Sequence, residues 1–125
     1  MEYLDPGSRW KIFDADALVS ARAEGEVLII DARDSGAYEG GHILEAIHCT
    51  PESFSLNPAL VYDWFHEGVT NIVVYCSHDR CDAAAALLRL LEQDPELAPK
   101  IALLSGGWQR AKDCPSISIS RDGSW

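Results

Sequence analysis

A chain of 125 residues fits one domain and can bury roughly two thirds of its unfolded surface without disulfide or metal staples. Hydrophobic residues at 47% and charged residues at 24% exclude a disordered chain, and the longest apolar run, around residues 83–88, is far short of a membrane span. With 20 acidic against 10 basic side chains the net charge is −10, a field that repels nucleic acid and anionic membranes and slows anionic substrates.

The amino terminus, Met1-Glu2-Tyr3-Leu4-Asp5-Pro6, has neither a basic segment nor an apolar signal core, so a cytoplasmic location is expected. Residues 1–9 are read as an N-terminal extension. Trp10 to Phe13 forms a short strand, and Asp14 is placed to cap a helix over 15–23 that Gly25 ends. Val27-Leu28-Ile29-Ile30-Asp31 is an unbroken apolar run closing on a carboxylate, as in a parallel strand buried on both faces. A helical turn and the pair Gly40-Gly41 lead to a brief strand over 46–49, and residues 51–58 are expected to be loop. Apolar residues at helical spacing predict a helix over 59–66 stopped by Gly68.

Asn71 to Tyr75 is the next strand, followed by a helix from about residue 80 to 93 that Asp94-Pro95 stops. Lys100 to Leu104 is the last strand of the sheet. Ser105-Gly106-Gly107-Trp108 turns the chain into a final short helix broken by Pro115, and the polar tail 116–125 is expected as a peripheral end. Strands alternating with helices predict an α/β domain over 10–115, with a parallel sheet covered by helices.

Cys76 is the residue around which function is read. It closes the strand Asn71 to Tyr75 and is followed by Ser77-His78-Asp79-Arg80-Cys81-Asp82 and an alanine-leucine helix. Backbone N–H groups and a helix dipole at such a place lower a thiol pKa and stabilise negative charge, which suits a nucleophile. The four cysteines are scattered, and free thiols are expected rather than a disulfide scaffold. His48, His66 and His78 lack the spacing of a metal site, so neither metal nor cofactor is expected.

Three segments resemble the signatures of the rhodanese-like superfamily of sulfurtransferases, cell-division-cycle dual-specificity phosphatases and arsenate reductases. They are Asp31-Ala32-Arg33 with Tyr38-Glu39-Gly40-Gly41-His42-Ile43, then Val73-Val74-Tyr75-Cys76, and then Leu103-Leu104-Ser105-Gly106-Gly107-Trp108. The resemblance implies a three-layer fold, with a five-stranded parallel sheet carrying helices on both faces, and Cys76 as catalytic cysteine. It also implies a choice of chemistry from loop length. The phosphatases and arsenate reductases have an arginine six positions after the cysteine to clamp a tetrahedral oxyanion, whereas the sulfurtransferase loop is one residue shorter.

Here the sixth position is Asp82, placed to cap the helix, which argues for sulfur and against phosphate. The implied reaction is attack of the Cys76 thiolate on a donor's outer sulfur, giving a persulfide that passes to a thiol or cyanide. Ser77, His78, Asp79, Arg80, Cys81 and Asp82 form the substrate loop, with Arg80 and a protonated His78 as its cations. A persulfide on a protein or small thiol is as good a donor as thiosulfate.

Cys81 admits two readings, a resolving thiol for Cys76 or a small apolar residue of the first helical turn. Asp31 and Arg33 are read as a pair bracing the strand ends, His42 as a hydrogen-bonded structural histidine, Gly106 and Gly107 as a tight turn, and Trp108 as packing beneath the loop. The family's glutamate before the tyrosine is replaced by Ala37. Phosphatase or arsenate reductase chemistry and a noncatalytic interaction module remain the alternatives.

Overall fold

The computed structural model describes residues 10–66, 68–77 and 82–120, together with the backbone of 2–4. Its main sheet is assembled from β1 (Glu2–Leu4), β2 (Lys11–Phe13), β3 (Glu26–Asp31), β5 (Ile47–His48), β6 (Val69–Tyr75) and β7 (Ile101–Leu104), in the spatial order β1-β2-β7-β6-β3-β5. The last five in that order run parallel, as expected, and β1 adds an antiparallel edge by pairing with β2. Two further short strands, β4 (His42–Ile43) and β8 (Ile119–Ser120), make a separate antiparallel ladder that ties the carboxyl-terminal segment back to the domain.

Helices cover both faces, and a short α2 (Ser35–Gly40) follows β3 at its carboxyl end. α1 (Ala15–Glu24) and α6 (Gly107–Ala111) bury Leu18 and Ala111 on one side, against Phe13, Ile29, Val73 and Leu104. On the other side α3 (Pro51–Leu56), α4 (Ala59–Tyr62) and α5 (Asp82–Leu91) pack against Leu28, Ile30, Ile72 and Val74. α5 does so because Ala84, Leu87, Leu88 and Leu91 recur at intervals of three and four and so share one face. Each Leu or Ile fully buried in this way stabilises the fold by roughly 1.5–3 kcal/mol.

Strand periodicity sorts the site residues between these two cores. Successive side chains of β6 point to opposite faces, so Ile72, Val74 and the following Cys76 lie under α5, while Val73 and Tyr75 lie under α1 and α6. In β3 the same alternation puts Leu28 and Ile30 with the Cys76 core and Ile29 with the Tyr75 core.

The structure corrects three local expectations. Residues 51–58 are not simple loop, because Thr50 accepts the Ser53 N–H and the Ser53 hydroxyl accepts the Thr50 N–H, a capping box that starts α3 with Pro51 in its first turn. The helix expected over 59–66 stops after Tyr62, where i to i+3 bonds from Trp64 and Phe65 tighten the chain into turns and leave Trp64 exposed. Asp82 is the first residue of α5 and lies in its first turn, so its carboxylate faces the helix dipole from inside the helix and is not the cap before it. The expected start of that helix at Arg80 lies outside the described residues.

Candidate active site

β6 delivers Cys76 to the carboxyl-terminal edge of the sheet, between the ends of β3 and β7. Its backbone is held there from the neighbouring connection. The Trp108 N–H donates to the Cys76 carbonyl at 2.7 Å and the Gln109 N–H donates to the Ser77 carbonyl at 3.1 Å. Helix N-termini leave such N–H groups without intrahelical partners, so α6 spends two of them on the loop that carries the cysteine.

The glycine turn makes this approach feasible. Gly106 sits at φ +78° and Gly107 at φ +53°, and a Cβ on Gly106 would come within 2.5 Å of Arg110 Cβ. Side chains at Gly106 would therefore suffer both backbone strain and a clash. The tight turn expected from Ser105-Gly106-Gly107 is thus next to the Cys76 segment.

Behind the loop lies a buried polar network that starts at the end of β3. Asp31 and Arg33 are both buried, and the Arg33 guanidinium grips the carboxylate through Nε at 3.0 and 3.1 Å and Nη2 at 2.7 Å. The Arg33 N–H also donates to Asp31 at 2.9 Å, and Nη2 donates to the Gly41 carbonyl. Burial works against the guanidinium charge, but the bonds and charge of Asp31 outweigh it and raise the Arg33 pKa. The same guanidinium lies 4.6 Å from the Trp108 ring centroid and 5.6 Å from that of Tyr75, so one cation touches both the β3 end and the residue clamping Cys76.

Tyr75 completes the network. The pairing register sets it opposite Asp31, and its hydroxyl donates to Asp31 Oδ2 at 2.8 Å while accepting the Ile43 N–H at 3.0 Å. Burial, with the Asp31 charge second, raises its pKa strongly, so the phenol stays protonated. The sequence shows Tyr75 only as part of the Val73-Val74-Tyr75-Cys76 segment and gives it no role of its own. The available signal was a phenol within the aliphatic run that precedes Cys76.

His42 is fully buried, its ring stacked on Tyr38 at a centroid distance of 3.8 Å, and its Nδ1 donates to the Tyr38 carbonyl at 2.8 Å. His48, from β5, donates through Nε2 to the Arg33 carbonyl at 2.6 Å and also stacks against Tyr38. The Tyr38 hydroxyl in turn donates to the Ala46 carbonyl at 2.7 Å. The network therefore includes Tyr38 and His48, neither of which the sequence marked as part of a site.

The cysteines divide into two states. Cys49 and Cys114 carry free thiols, and Cys76 is disulfide-bonded, a state that the two readings of the loop left open. Cys76 is 3% exposed and belongs to the core under α5. Cys49 shares that core, and burial raises its thiol pKa, whereas Cys114 packs on the opposite face of the sheet. Ser77 and Asp82 are thus described, with Asp82 exposed, while His78, Asp79, Arg80 and Cys81 lie outside the described residues. Among the described residues no cluster of His, Cys, Asp and Glu could hold a metal ion, and no helix is long and apolar enough to cross a membrane.

The family model of the rhodanese-like domain matches residues 14–114, a span that holds Asp31, Arg33, Cys76 and the glycine turn. Solved structures share the fold. The rhodanese-like domain of the Anabaena sp. Alr3790 protein is 23% identical over 94% of this chain and 80% of its own, with a TM-score of 0.68. Saccharomyces cerevisiae Ygr203w, described as a homolog of single-domain rhodanese and the Cdc25 phosphatase catalytic domain, is 21% identical over 90% of this chain and 88% of its own, with a TM-score of 0.64. RPA3614 from Rhodopseudomonas palustris, described as a "possible tyrosine phosphatase", is 25% identical over 82% of this chain and 79% of its own, with a TM-score of 0.60. The family match covers most of the sequence, in the order in which the three signatures converge on one strand end, and the chain belongs to the rhodanese-like domain family.

Proposed function

We propose that the protein is a single-domain sulfurtransferase that carries sulfane sulfur on Cys76. The observation that carries this reading is the position of Asp82. It is the sixth residue after Cys76 and the first of α5, the place where a phosphate-handling loop of this fold would need its arginine. A carboxylate there repels a phosphoryl group and leaves a loop of the length that suits a single sulfur atom.

In the proposed reaction the Cys76 thiolate attacks the outer sulfur of thiosulfate, a new S–S bond forms, and sulfite leaves with the electrons of the broken bond. Cyanide or a thiolate then takes the outer sulfur and returns the Cys76 thiolate. Ser77, His78, Asp79, Arg80 and Cys81 form the loop around the persulfide, and Arg80 binds an anionic donor. Asp31, Arg33, His42, Gly106, Gly107 and Trp108 hold the loop in place. The partners are a small sulfur donor or a persulfide-carrying protein and a thiol acceptor, in the cytoplasm, with no role for nucleic acid or membrane.

The test is mass spectrometry of the pre-reduced protein after exposure to thiosulfate or a low-molecular-weight persulfide. A gain of about 32 Da mapped to Cys76, and its loss in Cys76→Ser, is the expected result. No adduct with any of several donors would sink the reading.

The description of RPA3614 as a "possible tyrosine phosphatase" favours a second reading, phosphate-ester or arsenate chemistry with Arg80 as the clamp. Hydrolysis of an aryl phosphate, or reduction of arsenate, that is lost in both Cys76→Ser and Arg80→Ala would replace the sulfur assignment.

A further inference from the structure

A cavity of about 390 Å³ lies beside β5, the last strand in the order of the main sheet, and is lined by Tyr38, Glu45, Ile47, His48, Leu60 and Trp64. Glu45, Ile47 and Trp64 are shared with an adjoining cavity of about 470 Å³ that also holds Arg22 and Glu26. We infer that the first cavity binds a small organic cation with an aromatic or apolar body, of the aryl-alkyl ammonium class. This inference goes beyond the sulfur-transfer reading and does not rest on it.

Two side chains give the cavity this chemistry, and the first is Trp64. Its main chain is anchored, since its N–H donates at 3.0 Å to the carbonyl of the fully buried Val61, yet the residue is 59% exposed. Other aromatic rings of the fold already have cations. Arg33 lies over Trp108 and Tyr75, and Lys100 lies over Phe65 at 5.3 Å. Among the described residues no cation lies over Trp64, and an indole is the ring on which a cation gains most.

The second is Glu45. It sits at φ +73° in a turn that the Ala46 N–H closes on the Ile43 carbonyl at 2.9 Å. In this left-handed region glycine and asparagine are the comfortable residues, but neither carries a charge. The fold thus keeps a carboxylate at the cavity in spite of the backbone strain. Arg22 bonds its Oε1 at 2.8 Å, and the side chain is still 72% exposed, which leaves Oε2 open to a second cation.

Electrostatics and size favour the same ligand. The net charge of −10 draws cations toward the chain. In the two adjoining cavities Glu26, bonded to His66, and Glu45 stand against the single guanidinium of Arg22, which Glu45 already holds. Small-molecule sites usually run from about 300 to 1,000 Å³, a range that includes this cavity. Ile47 and Leu60 offer the ligand's body a surface out of water.

The experiment is an amide NMR titration of the full chain with phenethylammonium. Phenethyl alcohol, with the same body and no charge, and Nα-acetyl-lysine methylamide, which stands for a protein side chain, are the comparisons. Phenethylammonium is expected to saturate with a Kd of about 1 mM or below, with shifts centred on residues 45–48, Leu60 and the Trp64 indole. Both comparison compounds are expected to bind about fivefold more weakly or worse. Glu45→Gln should weaken phenethylammonium about fivefold and leave the alcohol unchanged, whereas Trp64→Leu, which keeps an apolar surface without the ring, should weaken phenethylammonium about tenfold. Shifts that centre elsewhere, or do not saturate by about 10 mM, overturn the site. Equal affinity for the alcohol overturns the cation, and equal affinity for the blocked lysine gives the cavity to a protein side chain and overturns the small molecule. No sulfur donor enters the titration, so its outcome is separate from that of the persulfide test.

Discussion

Tyr75 and Cys76 are neighbours in the chain and face opposite sides of one sheet, and the two sides are built differently. Under α5 the strand end meets an apolar core that holds Cys76 together with Ile72, Val74, Ala84 and Leu88. Under α1 and α6 it meets Asp31, Arg33, Tyr75 and the Ile43 N–H, a polar set in which each named group has a partner. In the proposed reaction the first side leaves the sulfur to change its bonding. The second holds the backbone still while that happens, because a satisfied buried network has no alternative partners to exchange for.

Breaking the polar side should cost most. Asp31→Ala leaves the buried Arg33 cation without its carboxylate and the Tyr75 hydroxyl without its acceptor, and a loss of roughly 3–5 kcal/mol is expected in urea unfolding. As a counterpart on the apolar side, Leu87→Ala should cost a similar amount, about 2–5 kcal/mol, from lost apolar burial and the cavity left behind. The comparison is sharpened by persulfide loading measured under conditions where both variants are folded. Loading should fall in Asp31→Ala and hold in Leu87→Ala, and equal loading in the two would erase the distinction drawn between the faces.

Gly106→Ala comes next, at about 1–3 kcal/mol, since it forces a side chain to positive φ and against Arg110. Its effect should reach Cys76 through the Trp108 and Gln109 amides, so amide hydrogen exchange at residues 108 and 109 should speed up more than at Leu87 or Leu88.

The smallest effect expected is on the alkaline limb of stability. Tyr75 has a folded pKa raised above its unfolded value near 10, so the unfolded chain gives up its phenolic proton first, and stability is full below about pH 10 and declines above it. Tyr62, held by Asp94 and pushed up to about 12, contributes in the same direction between about pH 10 and 12, less so because it is exposed. Tyr75→Phe should flatten the decline measured by urea unfolding from pH 8 to 11, at a cost near neutrality of about 1–3 kcal/mol for the orphaned Ile43 N–H.

What could be read from the chain followed from how local each signal is. β3, β6 and α5 announce themselves, because an apolar run or an i, i+3, i+4 pattern is written in consecutive residues. β1 and β8 are defined by the edge each one meets, β2 and β4, and nothing within Glu2–Leu4 or Ile119–Ser120 names that edge. α3 was concealed by a capping box that uses Ser53 where a glutamate or glutamine is usual, next to a proline that also reads as a loop. At the site, Cys76, Asp31, Arg33 and the glycine turn were readable from their motifs. Tyr75, Tyr38 and His48 join only through tertiary contacts between separate elements, which no spacing rule encodes.

The clamp from α6 onto the Cys76 and Ser77 carbonyls is made entirely by main-chain N–H groups. The side chain of Gln109 takes no part in it and stands exposed. Position 109 is therefore a place where chemistry can be added without subtracting any. A small spectroscopic label there would be anchored to the backbone that holds Cys76, and would act as a resident reporter of every change at that sulfur.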